Sequence, residues 1–165
     1  MNSDWQPIAE ALRHEIAEYG GLLNLFEDQQ RCIFQRDAEG ILAINLGIEA
    51  QVSTLQDCRR AREQAVAAFA EARGQARTST LRSLLPLFLA EVRPLLEALI
   101  DQVNVLIHRV RRVSRHNQAL LARSIEAQQQ LMRTLRPGSF SPTYAPNGRV
   151  ALAATRPAPA FQVAG

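Results

Sequence analysis

Six heptads of apolar residues run through the region from about Leu95 to Arg136. Two columns repeat with a three-four spacing, and they consist of Leu96, Val103, Val110, Asn117, Ser124 and Leu131, and of Leu99, Leu106, Val113, Leu120, Ala127 and Thr134. This spacing places both columns on one face of an α-helix. At a rise of about 1.5 Å per residue the helix is roughly 60 Å long, which is too long for a compact globule. Elongated antiparallel helices are therefore predicted.

Two long helices are predicted before this one, from about Asp4 to Gln35 and from about Ala38 to Arg73. Asp37 is a suitable N-cap for the second of them. A short helix, from about Leu81 to Leu85, links the pair to the last helix. The predicted fold class is all-α: an elongated antiparallel helical bundle or coiled coil of three long helices, a short connecting helix and a disordered C-terminal tail.

Two features interrupt these helices. Gly20 and Gly21 fall in the middle of the first helix, so either that helix bends or a neighbouring backbone approaches it closely. Arg59 and Arg62 stand where apolar residues are due in the second helix. The second helix therefore becomes polar towards its end, which favours incomplete coverage of the bundle at some point.

Composition favours one helical domain and a tail. Five of the eight prolines lie between Pro137 and Pro159, and the last residues show no helical period. We therefore predict a helical domain at residues 1–136 and a flexible tail at residues 137–165. No signal peptide is visible, and the longest apolar run, Leu84 to Ala90, is too short for a membrane span. A cytoplasmic protein without stable membrane insertion is expected.

Charge is distributed unevenly along the chain. The first 50 residues carry nine acids and three arginines, whereas the remainder carries seven acids and sixteen arginines. The densest basic cluster runs from His108 to Arg112 and continues at Arg115 and His116. A basic face for nucleic acid or for an acidic membrane is one interpretation. Because no aromatic residues interleave with these arginines, a solvated helix face beside an acidic first helix is favoured.

No constellation of catalytic residues is apparent, so an enzyme is not expected. The pair His14-Glu15 lacks the second histidine of a helical zinc motif, since position 18 is Glu18. Cys32 and Cys58, which could come near one another across the first two helices, are interpreted as structural residues. No metal and no cofactor are predicted.

The last helix and the segment after it resemble a known family. Residues 114–137 read SRHNQALLARSIEAQQQLMRTLRP, which includes an N-x-x-L-L run from Asn117 to Leu121, and T-Y-x-x-x-G follows from Thr143 to Gly148. RDAEGIL at residues 36–42 and the arginines at residues 59–62 extend the likeness. In this order the segments resemble the FlgN-type flagellar export chaperones, over about residues 5 to 148.

The resemblance implies a cytoplasmic chaperone that binds the C-terminal segments of hook-filament junction proteins. Such a chaperone prevents their premature assembly and delivers them to the flagellar type III export gate. The implied client-binding residues lie on the last helix, and they are Asn117, Leu120, Leu121, Ser124, Ile125, Gln128, Leu131, Met132 and Leu135. Thr143, Tyr144 and Gly148 are the implied residues for docking to the cytoplasmic domain of the gate. The secretion ATPase complex is a further candidate partner.

Alternatives remain open at this level. The apolar face near the end of the last helix either completes the bundle or leaves a groove for a partner helix. A coiled-coil adaptor or regulator of the secretion apparatus without an export client has the same patterns. A basic nucleic-acid-associated helical protein is less favoured, and nucleic acid is not an expected partner. The patterns are compatible with both a monomer and a dimer.

Overall fold

The computed structural model describes residues 4–135, and there the chain folds into helices. These are α1 (Gln6–Gln35), α2 (Ala38–Ala72), α3 (Leu81–Leu84) and α4 (Arg93–Leu135), with a 3-10 turn at Leu85–Leu87. The predicted all-α fold of three long helices and a short connecting helix is confirmed. The predicted helix bounds agree with these to within two residues. The predicted tail, residues 137–165, lies outside the described residues.

A tight turn joins α1 to α2 and reverses the chain. Arg36 adopts the left-handed conformation (φ 56°), and the N–H of Asp37 donates to the carbonyl of Cys32 at 3.0 Å. The side chain of Asp37 then accepts a hydrogen bond from the N–H of Gly40 at 2.9 Å, as the sequence predicts for an N-cap. These hydrogen bonds cap the end of α1 and the start of α2, and the two helices form an antiparallel hairpin.

One apolar cluster lies at the open end of this hairpin. It joins Ile8 and Leu12 of α1 to Val66 and Phe69 of α2 and to Leu96 of α4. The connection between α2 and α4 closes the cluster, because the ring of Phe88 stacks on that of Phe69 with centroids 3.9 Å apart. The short helix α3 and the 3-10 turn thus cover the end of the bundle, with Leu81, Leu84 and Leu85 buried beneath them.

A second apolar cluster lies towards the turn of the hairpin. Leu22 and Phe26 of α1 meet Ile48 and Leu55 of α2, and Val110 and Val113 of α4 pack against them. The first turns of α4 pack against the first turns of α1, and the middle of α4 packs against the middle of α1. Helix α4 therefore runs parallel to α1 and antiparallel to α2. The fold is an up-down-up bundle of three helices.

This alignment determines where the hairpin stops covering α4. Asn117 bonds to Phe26 and Gln29, and α1 continues for only six residues beyond Gln29, or about 10 Å. The same distance along α4 leads from Asn117 to about Ser124. Residues of the two heptad columns are buried or half-buried up to Ser124, and those that follow are exposed.

The chain divides into two units between Glu126 and Ala127. The three-helix bundle belongs to the first unit. The described part of the second unit, residues 127–135, consists of the last turns of α4. Within residues 4–135, no helix has both the length and the apolar character that crossing a membrane requires.

Candidate partner-binding face

Asn117 ties the last helix to the first from inside the bundle. Its side chain is 2% exposed, and Nδ2 donates to the carbonyl of Phe26 at 2.7 Å and to Oε1 of Gln29 at 3.0 Å. Gln29 in turn donates through Nε2 to Oδ1 of Asn45 at 2.7 Å. A chain of amide hydrogen bonds therefore links α4, α1 and α2 at one level.

The position of Asn117 in a core column, predicted from the heptads, is confirmed. Its Oδ1 atom is buried and accepts no hydrogen bond from the described residues. A buried polar atom without a partner costs roughly 1–3 kcal/mol, which offsets part of the stabilisation from the two hydrogen bonds of Nδ2. A polar group at a core position fixes register, because any shift of α4 along α1 would leave more polar atoms unpaired.

A charged pair occupies the interior further along the bundle. Glu15 of α1 is 1% exposed, and its Oε2 accepts a hydrogen bond from Nε of Arg62 on α2 at 2.7 Å. Arg62 does not open the core at its own position, because its guanidinium pairs there with a buried carboxylate. Arg59 instead pairs with Glu63 on the exposed side of α2. Beyond Arg62, the core continues with Val66 and Phe69.

Two groups near the Glu15–Arg62 pair, Tyr19 and Cys58, have raised pKa values. Burial raises the pKa of the Tyr19 phenol, and the charge of Glu15 raises it further, while Arg59, Arg62 and Arg111 act in the opposite direction. Burial also raises the pKa of the Cys58 thiol, with Glu18 and Glu15 adding to the effect. The Sγ of Cys58 lies 3.7 Å from Nδ1 of His14.

The two cysteines do not come together. Cys32 lies beside the turn of the hairpin, close to Gly40, whereas Cys58 lies beside His14. Because α1 and α2 are antiparallel, Cys32 and Cys58 are separated by about 25 Å along the bundle. The expectation that they could be neighbours is therefore wrong. In residues 4–135, no group of three His, Cys, Asp or Glu side chains is placed to hold a metal ion.

A side chain, and not a neighbouring backbone, occupies the space beside Gly21. A Cβ at this position would lie 3.2 Å from Nε2 of Gln51. That amide donates to the carbonyl of Glu18 at 3.0 Å and also bonds to the carboxylate of Glu18. Because Gly21 has no side chain, Gln51 of α2 can reach Glu18 of α1 and form these hydrogen bonds. This role differs from the bend and the close backbone approach that the sequence suggested.

The predicted client-binding residues of the first unit differ in accessibility. Asn117 faces the interior, so in this fold it is not exposed to a partner. Leu120, Leu121 and Ser124 are half-buried, and Ile125 is 46% exposed. The apolar face of α4 thus begins to open within the last turns of the first unit.

The predicted residues of the second unit are all exposed. Gln128 is exposed, and Leu131, Met132 and Leu135 are 55%, 61% and 71% exposed. On a helix, positions 128, 131, 132 and 135 share one face, so the large apolar side chains form a single strip. Exposed apolar residues grouped on one face are typical of a surface that binds a partner. We call Gln128, Leu131, Met132 and Leu135 on this face the apolar strip.

The residues predicted for gate docking, Thr143, Tyr144 and Gly148, lie outside the described residues. Their predicted role therefore has no structural counterpart here.

The basic cluster of α4 lies on the side of the helix that faces away from the core. His108, Arg109, Arg111, Arg112, Arg115 and His116 are exposed, while Val110 and Val113 between them pack on the core. Their predicted position on a solvated helix face is confirmed. The helix thus presents arginines on its outer side and apolar residues on its inner side.

The polar partners on α1, Glu15 and Gln29, escaped the sequence analysis, although a signal was present. Ile8, Glu15, Leu22 and Gln29 form one heptad column of α1 in which apolar and polar residues alternate. Each polar member meets a polar residue of another helix, Glu15 with Arg62 and Gln29 with Asn117. Matching the polar interruptions of different helices would have indicated both contacts.

The chain matches a known protein family. A family model described as FlgN protein matches residues 1–151 of the chain. No curated protein and no solved structure gives a significant match.

Proposed function

The chain belongs to the FlgN family of flagellar export chaperones, and from this we propose that it escorts hook-filament junction proteins in the cytoplasm. The apolar strip of α4 binds the C-terminal segments of these clients and prevents their premature assembly. The residues around Tyr144 then dock the loaded chaperone to the cytoplasmic domain of the export gate, with the secretion ATPase complex as a further partner. No bond is made or broken in this function, and no cofactor takes part.

One observation carries the proposal: large apolar side chains at the end of α4 are exposed and lie on one face of that helix. In the sequence, Leu131 continues the heptad column of Leu96, Val103 and Asn117, and its side chain, like that of Leu135, is exposed. Exposing leucine side chains to water is unfavourable, and covering them with an apolar surface lowers the free energy. An amphipathic client helix supplies such a surface.

The composition of the strip suits clients that differ in detail. Met132 has a flexible, polarisable side chain that adapts to different surfaces, and Gln128 offers a polar contact beside it. Asn117 supports binding indirectly in this proposal. By fixing the register of α4 against α1, it determines which residues of the strip are left for the client.

A binding experiment with the full chain tests the proposal. Purified junction proteins, intact and without their C-terminal segments, are titrated into the chaperone in a calorimeter. We expect the intact clients to bind and the shortened clients to fail. The double variant Leu131→Glu/Met132→Glu should bind intact clients weakly. Its matched control is Val105→Glu, which adds a charge at an exposed apolar residue on the outer face of the same helix.

Other outcomes would favour the alternative functions. If junction proteins with and without their C-terminal segments both fail to bind, while components of the secretion machinery bind, the protein is an adaptor of that machinery. If the shortened clients bind as tightly as the intact ones, the C-terminal segment is not the ligand of the strip. If Val105→Glu weakens binding as much as the double variant, the contact lies elsewhere on α4.

A further inference from the structure

Within residues 4–92, most arginines are neutralised by an acid in the fold. Seven of them pair with an acid, and these pairs are Arg31–Asp28, Arg59–Glu63, Arg60–Asp57, Arg62–Glu15, Arg73–Asp4, Arg77–Glu71 and Arg82–Asp101. Every arginine from residue 59 to residue 82 is a member of such a pair. Across this part of the bundle, positive charge is met by negative charge at short range.

The arginines in the middle of α4 are different. Arg109, Arg111, Arg112, Arg115 and Arg123 are exposed, and none forms an ion pair with a residue in the described range 4–135. The sequence explains this, because α4 contains no acid from Gln102 to Ile125. A concentration of positive charge without internal partners leaves a field that attracts an external anion.

Three of these arginines align on the outside of the helix. His108, Arg112, Arg115, Ala119 and Arg123 follow one another at intervals of four, three, four and four residues. Such intervals keep side chains in one row along a helix, and 15 residues correspond to about 22 Å. Arg109 and Arg111 flank the row on either side. We call the row and its two flanking arginines the basic row.

We propose that the basic row binds the phosphate groups of an anionic membrane surface. A row along one side of a straight helix meets a plane along its whole length, so several arginines engage phosphates at once. The planar guanidinium group donates two parallel hydrogen bonds to a phosphate, which suits arginine to this contact. The helix lies on the lipid head groups and does not enter the bilayer.

The residues within the row argue against a packed protein partner. Between the arginines the outer face offers Ala119, Ala122 and Gln118, and large apolar side chains are lacking from His108 to Arg123 on this face. A stable protein interface needs a desolvated apolar or aromatic centre. For single-stranded nucleic acid, aromatic side chains that stack on bases are typical, and the row contains none. A lipid surface requires only distributed positive charge.

The inference stands apart from client binding, because the basic row lies on the side of α4 opposite Leu121 and Ile125. A chaperone held at the membrane by its outer face would still present its inner face to a client. Loss of lipid binding would therefore leave client affinity unchanged, and the failure of one proposal is distinguishable from the failure of the other.

Vesicle sedimentation with the full chain tests the inference. The vesicles consist of phosphatidylcholine alone, or with a third of the lipid replaced by phosphatidylglycerol. We expect the chain to sediment with the anionic vesicles only, and added salt should release it. Arg112→Gln/Arg115→Gln should lower the partition coefficient roughly 30-fold, since each arginine near an anionic surface contributes about one kcal/mol.

The matched control is Arg31→Gln/Arg60→Gln, which removes the same charge from two exposed, ion-paired arginines of α1 and α2. It should lower the partition coefficient less than about threefold. Circular dichroism of both variants checks that the helices persist. Equal losses in the two variants would mean that net charge alone attracts the chain, and the basic row would not be a site. Binding to a DNA duplex without binding to anionic vesicles would identify nucleic acid as the ligand and overturn the inference, as would equal binding to neutral vesicles.

Discussion

Nδ2 of Asn117 on α4 lies 2.7 Å from the main-chain carbonyl of Phe26 on α1, inside the bundle. That carbonyl belongs to the backbone of α1, so the hydrogen bond fixes the position of Asn117 relative to that backbone. The contact sets the register of the two helices independently of the shapes of the apolar side chains around it. Through this register, it also sets the residue of α4 at which coverage by the hairpin ends.

Asn117→Asp should destabilise the fold by about 3 kcal/mol. A carboxylate only accepts hydrogen bonds, and here it would face two acceptors, the carbonyl of Phe26 and Oε1 of Gln29. Urea unfolding followed by circular dichroism gives the free energy of unfolding. Asn104→Asp is the control, because Asn104 is exposed on the same helix. If the two variants had equal stability, the interior hydrogen bonds of Asn117 would not matter for the fold.

Arg62→Gln should destabilise the fold more than Glu15→Gln does. Without Arg62, the carboxylate of Glu15 stays buried and unpaired, which costs about 3 kcal/mol. Without the charge of Glu15, the guanidinium of Arg62 still reaches water, since it is 23% exposed. The free energies of unfolding of both variants measure the difference.

The exposed pair Arg59–Glu63 is the reference for this comparison. Arg59→Gln should cost less than about 1 kcal/mol, because both partners are solvated. The double variant Glu15→Gln/Arg62→Gln should be more stable than Arg62→Gln alone, since it removes the unpaired charge. A double variant as unstable as the sum of the single variants would show that the two residues are not coupled.

Ile125→Glu should weaken client binding by about 2 kcal/mol while the helices persist. Ile125 is 46% exposed, so a charge there is hydrated in the free chain and is desolvated only when a client covers it. Calorimetric titration with a client C-terminal peptide measures the loss, and circular dichroism checks the fold. Leu121→Glu places a charge at a half-buried position, so we expect it to affect stability as well. Unfolding of Ile125→Glu would mean that this residue belongs to the core.

Tyr144→Ala should reduce binding to the cytoplasmic domain of the export gate and leave client affinity unchanged. In the proposed function, the aromatic side chain anchors the segment after α4 to the gate, and this segment does not contribute to the apolar strip. Calorimetry with each partner separates the two effects. A loss of client affinity equal to that of Ile125→Glu would show that client and gate share one surface.

Alkaline pH should lower the stability of the fold in part through Cys58. Because burial raises the pKa of this thiol, the folded state favours its protonated form. The resulting stability is fully present below the ordinary thiol pKa of 9.0 and is lost as the pH rises through the higher folded value. Urea unfolding across this range should show a smaller decline for Cys58→Ala. The raised pKa of Tyr19 should account for part of the remaining decline, and Tyr19→Phe measures that part. A decline of equal size in Cys58→Ala would contradict the contribution of Cys58.

Much of the fold follows from local patterns in the sequence. The heptads of α4 predict a helix, and Asp37 predicts the start of α2, because helix periodicity and N-capping depend on residues only a few positions apart. The helix bounds were therefore predictable to within two residues. The apolar strip was predictable as a set of positions for the same reason, since it continues the heptads.

The tertiary structure decided how these helices fit together. The role of Arg62 depends on Glu15, which lies 47 residues away in the chain, and no local pattern joins them. Likewise, α4 has 43 residues and α1 has 30, so part of α4 cannot pack against α1. Which part it is depends on the register, and the register follows from hydrogen bonds and packing between residues far apart in sequence. The sequence alone determined that an apolar face exists on α4, and only the alignment of the helices decided that α1 and α2 cover this face up to about Ser124.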